Sequence, residues 1–185
     1  MARPLSIDDD QLLDRLLGVF REHGFAGAGI ADLSAASGLQ RASLYHRFPG
    51  GKEEMATAAL AEVGRRFGWI LEPMRDDPDV ARGVAETARR IGAFYGAGAL
   101  SCVLETMTLV GSPPPVRDQA RQMAETWIEV MAAAARRAGR SPADASAAAR
   151  EVFVGIEGAL VLGRVSGDTA AFAASVQRLP ELLLP

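Results

Sequence analysis

The chain has little of what catalysis, metal binding or secretion draws on. Cys102 is its one cysteine in 185 residues, so no disulfide can close within the chain, and this usage fits a reducing cytosol. The two histidines, His23 and His46, lie on separate segments; with no cysteine pair beside them they make no metal site of ordinary ligand spacing. No apolar run reaches the ~20 residues that span a bilayer. The opening MARPLSIDDD puts acids where a signal peptide needs an apolar core. Secretion and membrane insertion are therefore not expected, and a cytoplasmic location is. Nothing points to a Ser-His-Asp triad, to a metal or to a cofactor, so no catalytic residue is assigned. No segment alternates with the period of two that a half-buried strand needs, and no internal repeat or low-complexity tract stands out.

What is present is apolar side chain in quantity. Hydrophobic residues make up 49% of the chain, enough for a sizeable core. The formal net charge is -3, which argues against a protein that coats nucleic acid without selection. A local basic face is still open to it, because exposed charges act over a Debye length of about 8 Å. Ser37 to Lys52 is such a stretch: its ionised residues are Arg41, Arg47 and Lys52, with no acid among them.

This stretch ends a segment, Ile30 to Lys52, that reads as two short helices around a tight turn. Ile30 to Ala36 is the first, with Ile30 and Leu33 on one face. Ser37-Gly38-Leu39 is the turn, where glycine can take the left-handed conformation of a sharp corner. Gln40 to Phe48 is the second, and Leu44 and Phe48, four apart, mark its inner face. Arg41, Ala42, Ser43 and His46 fall on other faces, with Tyr45 at the margin. A short helix held by its neighbour, with small and basic residues turned outward, is what a helix-turn-helix places in a DNA major groove. Arg41 is the best candidate for a phosphate or guanine, since its fork matches two acceptors. Ser43 is small enough to let the helix sit deep. His46 is either a donor to DNA or an ordinary surface histidine, and Tyr45 is as much a core aromatic as a phosphate donor. Lys52 opens the following helix, where its ammonium and the free N–H groups could share one phosphate. Gly50-Gly51-Lys52 is not a nucleotide-binding loop, which needs glycine where His46 stands and Ser or Thr where Glu53 stands.

Taken in order, nine helices are expected and the fold is all-α. Helix 1 spans Ser6 to Glu22, with Ser6 and Asp9 as a capping box and Leu12, Leu16 and Phe20 as its stripe. Gly24 stops it, and Phe25 plugs a three-helix head. Helix 4 runs from about Lys52 to Leu71 on the stripe Ala56, Leu60, Val63, Phe67 and Ile70, and Pro73 ends it. Asp77 caps and Pro78 opens helix 5, which carries Val84, Thr87, Ile91 and Phe94. Cys102 to Val110 forms helix 6. Helix 7 starts at Ser112-Pro113 and continues to about Ala138. Ser141-Pro142-Ala143-Asp144 opens helix 8, whose Gly155, Gly158 and Gly163 suggest close helix-helix approach. Asp168 caps helix 9, and Pro180 closes it.

The turn glycine Gly38, the basic Arg41, the small pair Ala42-Ser43, Leu44-Tyr45-His46, Phe48 and the pair Lys52-Glu53 together resemble the TetR family of one-component transcriptional repressors. More loosely, LETMTLVG, Trp127 and GIEGALVLGR are similar to the subgroup that answers to lincomycin-like antibiotics and flavonoids. The resemblance implies an N-terminal helix-turn-helix head, residues 1–51, and a helical ligand-binding and dimerisation domain, residues 52–185. It implies a homodimer built by helices 8 and 9, a palindromic DNA operator, and release by a small molecule entering among helices 5 to 8. Two positions depart from the pattern: Gly29 stands where Ser or Thr usually starts helix 2, and Gln40 where Ser usually caps the recognition helix. Each loses a hydroxyl that caps, and at Gly29 one that could touch phosphate.

Phe94, Met107, Met123, Trp127, Met131 and Phe153 either line an apolar cavity or are plain core. Glu105 and Glu157 lie within apolar helices, where a buried carboxylate needs a partner: a ligand, Arg164 or a second subunit. Cys102 reads as a small buried apolar residue. An enzyme using the cavity, or a head that has lost DNA binding, are the competing readings.

Overall fold

A computed structural model describes residues 7–185. Ten α-helices and one 3-10 turn are found among the described residues, and no strand. They are α1 (Asp9–Gly27), α2 (Ile30–Ser37), α3 (Arg41–Arg47), α4 (Gly51–Asp76), α5 (Val80–Phe94), α6 (Val103–Thr106), α7 (Pro114–Arg137), α8 (Pro142–Ser166), α9 (Ala170–Gln177) and α10 (Leu179–Leu183). None of the described helices is long and apolar enough to cross a membrane.

The chain divides into two compact units, residues 7–64 with 103–121, and residues 65–102 with 122–185. In the first, Leu12, Leu16, Phe20, Leu33, Leu44, Leu60 and Val63 are buried to 3% exposure or less, so the stripes of four helices meet in one core. The α1 cap is Asp8, which accepts from the Gln11 amide at 2.7 Å; the Ser6 cap expected from sequence lies outside the described residues. Gly24, at φ 65°, leaves the helical path, so the regular helix stops there as expected and the stretch to Gly27 follows across a kink; a Cβ at Gly24 would sit 2.7 Å from the Thr106 carbonyl oxygen. The segment 103–121 thus packs with the head, and α6 is only Val103–Thr106, shorter than the expected 102–110.

In the second unit Val84, Thr87 and Ile91 of α5 are buried and Phe94 is half-buried, and Trp127 and Met131 of α7 and Val152, Ile156 and Leu160 of α8 are buried with them. Several boundaries differ from the expectation. Pro73 does not end α4, which continues to Asp76. Asp79, not Asp77, caps α5 and accepts from the Arg82 amide at 3.1 Å, while Asp77 is drawn to the Arg82 guanidinium at 2.7 Å. Pro180 opens a tenth helix instead of closing the ninth, since proline suits a first turn, where its missing N–H is no loss. A Cβ at Gly163 would stand 3.3 Å from the Asp168 carbonyl oxygen, the Ser175 hydroxyl of α9 donates to the Gly155 carbonyl at 3.2 Å, and Gly158 faces open space.

Candidate functional site

The turn between α2 and α3 is built from its own polar groups. Gly38 takes φ 72° and donates its amide to Ser34 at 3.0 Å. The Ser34 hydroxyl donates to Leu39 at 2.6 Å, and the Leu39 amide donates to the Ser37 hydroxyl at 3.3 Å. From α1, the Arg15 guanidinium donates to the Ser37 carbonyl at 3.3 Å. The carbonyls at the end of α2 are thereby satisfied, and the turn that aims α3 is fixed.

Within α3 only Leu44 is buried, and completely so; Arg41, Ala42, Ser43, Tyr45, His46 and Arg47 are exposed, as is Gln40 before them. Gln40 and Gly29 sit at the N-caps of α3 and α2 and neither supplies a side-chain cap; at Gly29 the Asp32 carboxylate accepts the backbone amide at 3.1 Å. Tyr45 is 47% exposed, with its ring edge against Gly51. Lys52 lies 4.5 Å over the Phe25 ring, so an aromatic face holds the ammonium at the start of α4. Gly29, Gln40, Arg41, Ala42, Ser43, Tyr45, His46 and Lys52 are thus all solvent-accessible at one end or another of the α2–α4 segment. Arg47 stands apart from the cationic set it belongs to in sequence: its guanidinium donates to the Ile7 carbonyl at 3.1 Å and pairs with Asp9 at 3.3 Å.

In the second unit one ring from each of four helices meets. Trp127 of α7 contacts Phe67 of α4 at 4.8 Å and Phe153 of α8 at 6.5 Å, and Phe67 contacts Phe94 of α5 at 5.4 Å. All three pairs are edge-to-face, the favourable arrangement for ring quadrupoles. The file continues through Tyr95 to Phe172 at 5.0 and 5.8 Å, and the Tyr95 hydroxyl bonds the buried Cys102 sulfur at 3.4 Å. Trp127 is 3% exposed and its indole N–H has no acceptor among the described residues. Of the residues expected to line a cavity, Phe94, Met123, Trp127, Met131, Phe153 and Glu157 belong to this unit; Met107 is wholly buried in the other. Phe67 was legible only as a stripe residue. Glu105 and Glu157 are half-buried, and neither is without a polar or electrostatic partner.

A family model described as the LmrA/YxaF-like C-terminal domain of transcriptional regulators matches residues 79–177, and one described as bacterial regulatory proteins of the tetR family matches residues 12–59. The chain belongs to the TetR family. This regulator is similar to the HTH-type transcriptional regulator LmrA of Bacillus subtilis, 25% identical over 94% of this chain and 95% of that protein. It is also similar to the uncharacterized HTH-type regulator Rv0196 of Mycobacterium tuberculosis, 23% identical over 90% of this chain and 89% of the relative. The fold of this TetR-family chain matches the crystal structure of a TetR regulator from Legionella pneumophila, with a TM-score of 0.83, 17% identity and 97% and 98% of the two chains covered. A cysteine mutant of the TetR-family regulator CifR, solved with 26bp double-strand operator DNA, gives a TM-score of 0.79 at 26% identity over 97% of this chain and 98% of CifR. These relatives are transcriptional regulators and not enzymes.

Proposed function

We propose that this TetR-family regulator is a ligand-responsive repressor, binding a palindromic operator as a homodimer and released by a small, mostly apolar inducer. The observation that carries the DNA part is α3 itself: a seven-residue helix held by one buried leucine, with Arg41, Ala42, Ser43, Tyr45 and His46 turned outward. Arg41 is placed to fork onto a guanine or a phosphate. Ala42 and Ser43 leave room for close approach, and His46, Tyr45 and Lys52 flank it as backbone contacts. Gly29 and Gln40 border the interface in this reading. Residues 1–51 carry DNA binding in this reading, residues 52–185 ligand binding and dimerisation, and the site of action is the cytoplasm.

A single head makes few phosphate contacts, and two heads about one DNA turn apart, roughly 34 Å, double them. The second copy has a place to dock. Along α8, Val154, Val161, Leu162 and Val165 are exposed, the last to 78%, on a helix whose Gly155 and Gly158 leave that surface low. A run of large apolar side chains facing water on one helix supports an interface there, with α9 beside it.

The inducer site we assign to the aromatic file, with Phe94, Trp127 and Phe153 as walls, Phe67 as floor, and Met123, Met131 and Glu157 around them. The buried indole N–H of Trp127 lacks an acceptor among the described residues, and leaving such a donor unpaired costs about 1–3 kcal/mol. An inducer offering an oxygen there would recover it. To release DNA, the inducer must bind the head spacing that misfits the operator more tightly than the spacing that fits. Gel shift of the protein's own promoter fragment tests the reading: Arg41→Ala should weaken the shift on the order of tenfold, and equal affinity of the two proteins would reject the role of α3.

A further inference from the structure

Arg47 occupies the last turn of α3 but does not face the way its neighbours do. We propose that Arg47 is a positioning residue, which fixes the tilt of α3 against the first turn of α1 and makes no contact with the operator. The inference rests on the DNA-binding role of α3 proposed above.

A helix of seven residues is about 10 Å long and far too short to hold itself together in water. Its orientation must come from ties to the rest of the head. At its N-terminal end the Ser34, Ser37 and Gly38 bonds supply them. Between the ends there is one apolar anchor, Leu44. A single anchor leaves rotation about itself unopposed. At the C-terminal end the tie is the guanidinium of Arg47, which grips two points forty and thirty-eight residues back in the chain, the Ile7 carbonyl at 3.1 Å and the Asp9 carboxylate at 3.3 Å. The Ile7 carbonyl is an acceptor that α1 does not use, since the first helical bond runs from the Leu12 amide to the Asp8 carbonyl at 2.9 Å. The side chain is about one-third exposed and borders a cleft with Leu12, Leu13, Phe48 and Ala58, where an apolar stem is at home.

The geometry separates Arg47 from a phosphate contact by three readouts. A bidentate base contact tolerates displacements of only about 0.5 Å or 10–20°. Loss of the tie therefore degrades base readout by Arg41 and Ser43, while the number of phosphates neutralised stays the same. The test uses full-length protein and a duplex enriched from a random pool by the wild type, against a scrambled duplex of the same length, across a series of KCl concentrations. For Arg47→Ala the expected result is a loss on the order of tenfold on the enriched duplex, with little change on the scrambled one and an unchanged slope of log affinity against log salt. Arg47→Gln, a neutral amide that can still donate to the Ile7 carbonyl, should recover most of the loss, and it carries the test if the alanine variant does not fold. A slope reduced by about 0.9 for each head, with equal weakening on both duplexes and in both variants, would make Arg47 a phosphate ligand and overturn the proposal. Unchanged affinity in Arg47→Ala would overturn it as well. A wild type that enriches no sequence sinks the DNA-binding reading itself, and this inference with it.

Discussion

Arg90 donates to the backbone carbonyl of Trp69, the acceptor that Pro73, four residues on, has no N–H to serve. Its guanidinium also lies 4.2 Å over the Trp69 ring and is held by Glu86 at 2.9 Å and Glu72 at 3.2 Å. Two further residues on the same face of α5 serve the same turn of α4. The Thr87 hydroxyl accepts from the Met74 amide at 3.2 Å, and Gly83 lets the Pro73 carbonyl come so close that a Cβ there would stand 2.3 Å from its oxygen. Proline inside α4 is tolerated because α5 replaces what it removes.

Removing the replacement should show this. Arg90→Ala should lower stability by about 2 kcal/mol, the size of a hydrogen bond to a charged group, read from the urea midpoint. In a Pro73→Ala background, where the helix regains its own donor, the same change should cost less than half as much. Equal costs in both backgrounds would mean that Arg90 acts only through its ring and carboxylate contacts.

Gly83→Ala sets helix propensity against space. Alanine gains about 1 kcal/mol as a helix former, and forcing a methyl against the Pro73 carbonyl costs up to about 3 kcal/mol. Backbone on the far side cannot rotate away, so a net loss near 2 kcal/mol is expected. Gly92 of the same helix has nothing within 4 Å of its ideal Cβ, and Gly92→Ala should raise stability by about 0.5–1 kcal/mol. Thermal melts of the two variants should move in opposite directions.

Glu86 accepts from Arg89 at 2.7 Å and from Arg90 at 2.9 Å, and these bonds, Arg89 first, hold its carboxyl down from 4.5 to about 2. The folded state therefore keeps the carboxylate charged where the unfolded chain takes up a proton. Its contribution is complete above about pH 4.5 and is lost as pH falls toward 2. Glu86→Gln should flatten the fall of denaturant-measured stability between pH 4.5 and the acid limit, and leave the shape of the curve above pH 6 unaltered. A wild-type slope in the variant would assign the acid sensitivity to other carboxylates.

On the exposed face of α8, Val165→Glu should lower the solution mass from two chains toward one, because a charge buried across the interface has no partner. Val110→Glu, at a position 97% exposed on a loop of the first unit, should leave the mass alone. Light scattering after size exclusion reads both, and a Val165→Glu protein that keeps the wild-type mass would move the interface off this face.

The elements legible from sequence are those whose signal is local and periodic. The α4 stripe of Ala56, Leu60, Val63, Phe67 and Ile70 is buried throughout, and α3 shows its one inner leucine where the spacing puts it, with Arg41, Ala42, Ser43 and His46 exposed. What was misread depends on partners far along the chain. Pro73 reads as a stop until Arg90, seventeen residues later, supplies the missing donor. Asp77 and Asp79 flank Pro78 with the same capping chemistry, and only the pull of Arg82 on Asp77 decides between them. Arg47 looks like one more cation of a basic stretch until its acceptor, a backbone carbonyl forty residues back, is located. Trp127, Phe94 and Phe153 stand out by residue type and meet in the aromatic file, while Phe67, which reads as a core stripe residue, joins them there and Met107 lies in the other unit.

The measurement that bears most directly on the account is a titration of the wild type's enriched duplex, with the chain stoichiometry of the complex read by sedimentation and Arg41→Ala run alongside. Two chains per duplex, with affinity falling steeply as salt rises and on the order of tenfold weaker in the variant, is the predicted result. One chain per duplex, or an Arg41→Ala protein that binds as tightly as the wild type, would contradict it.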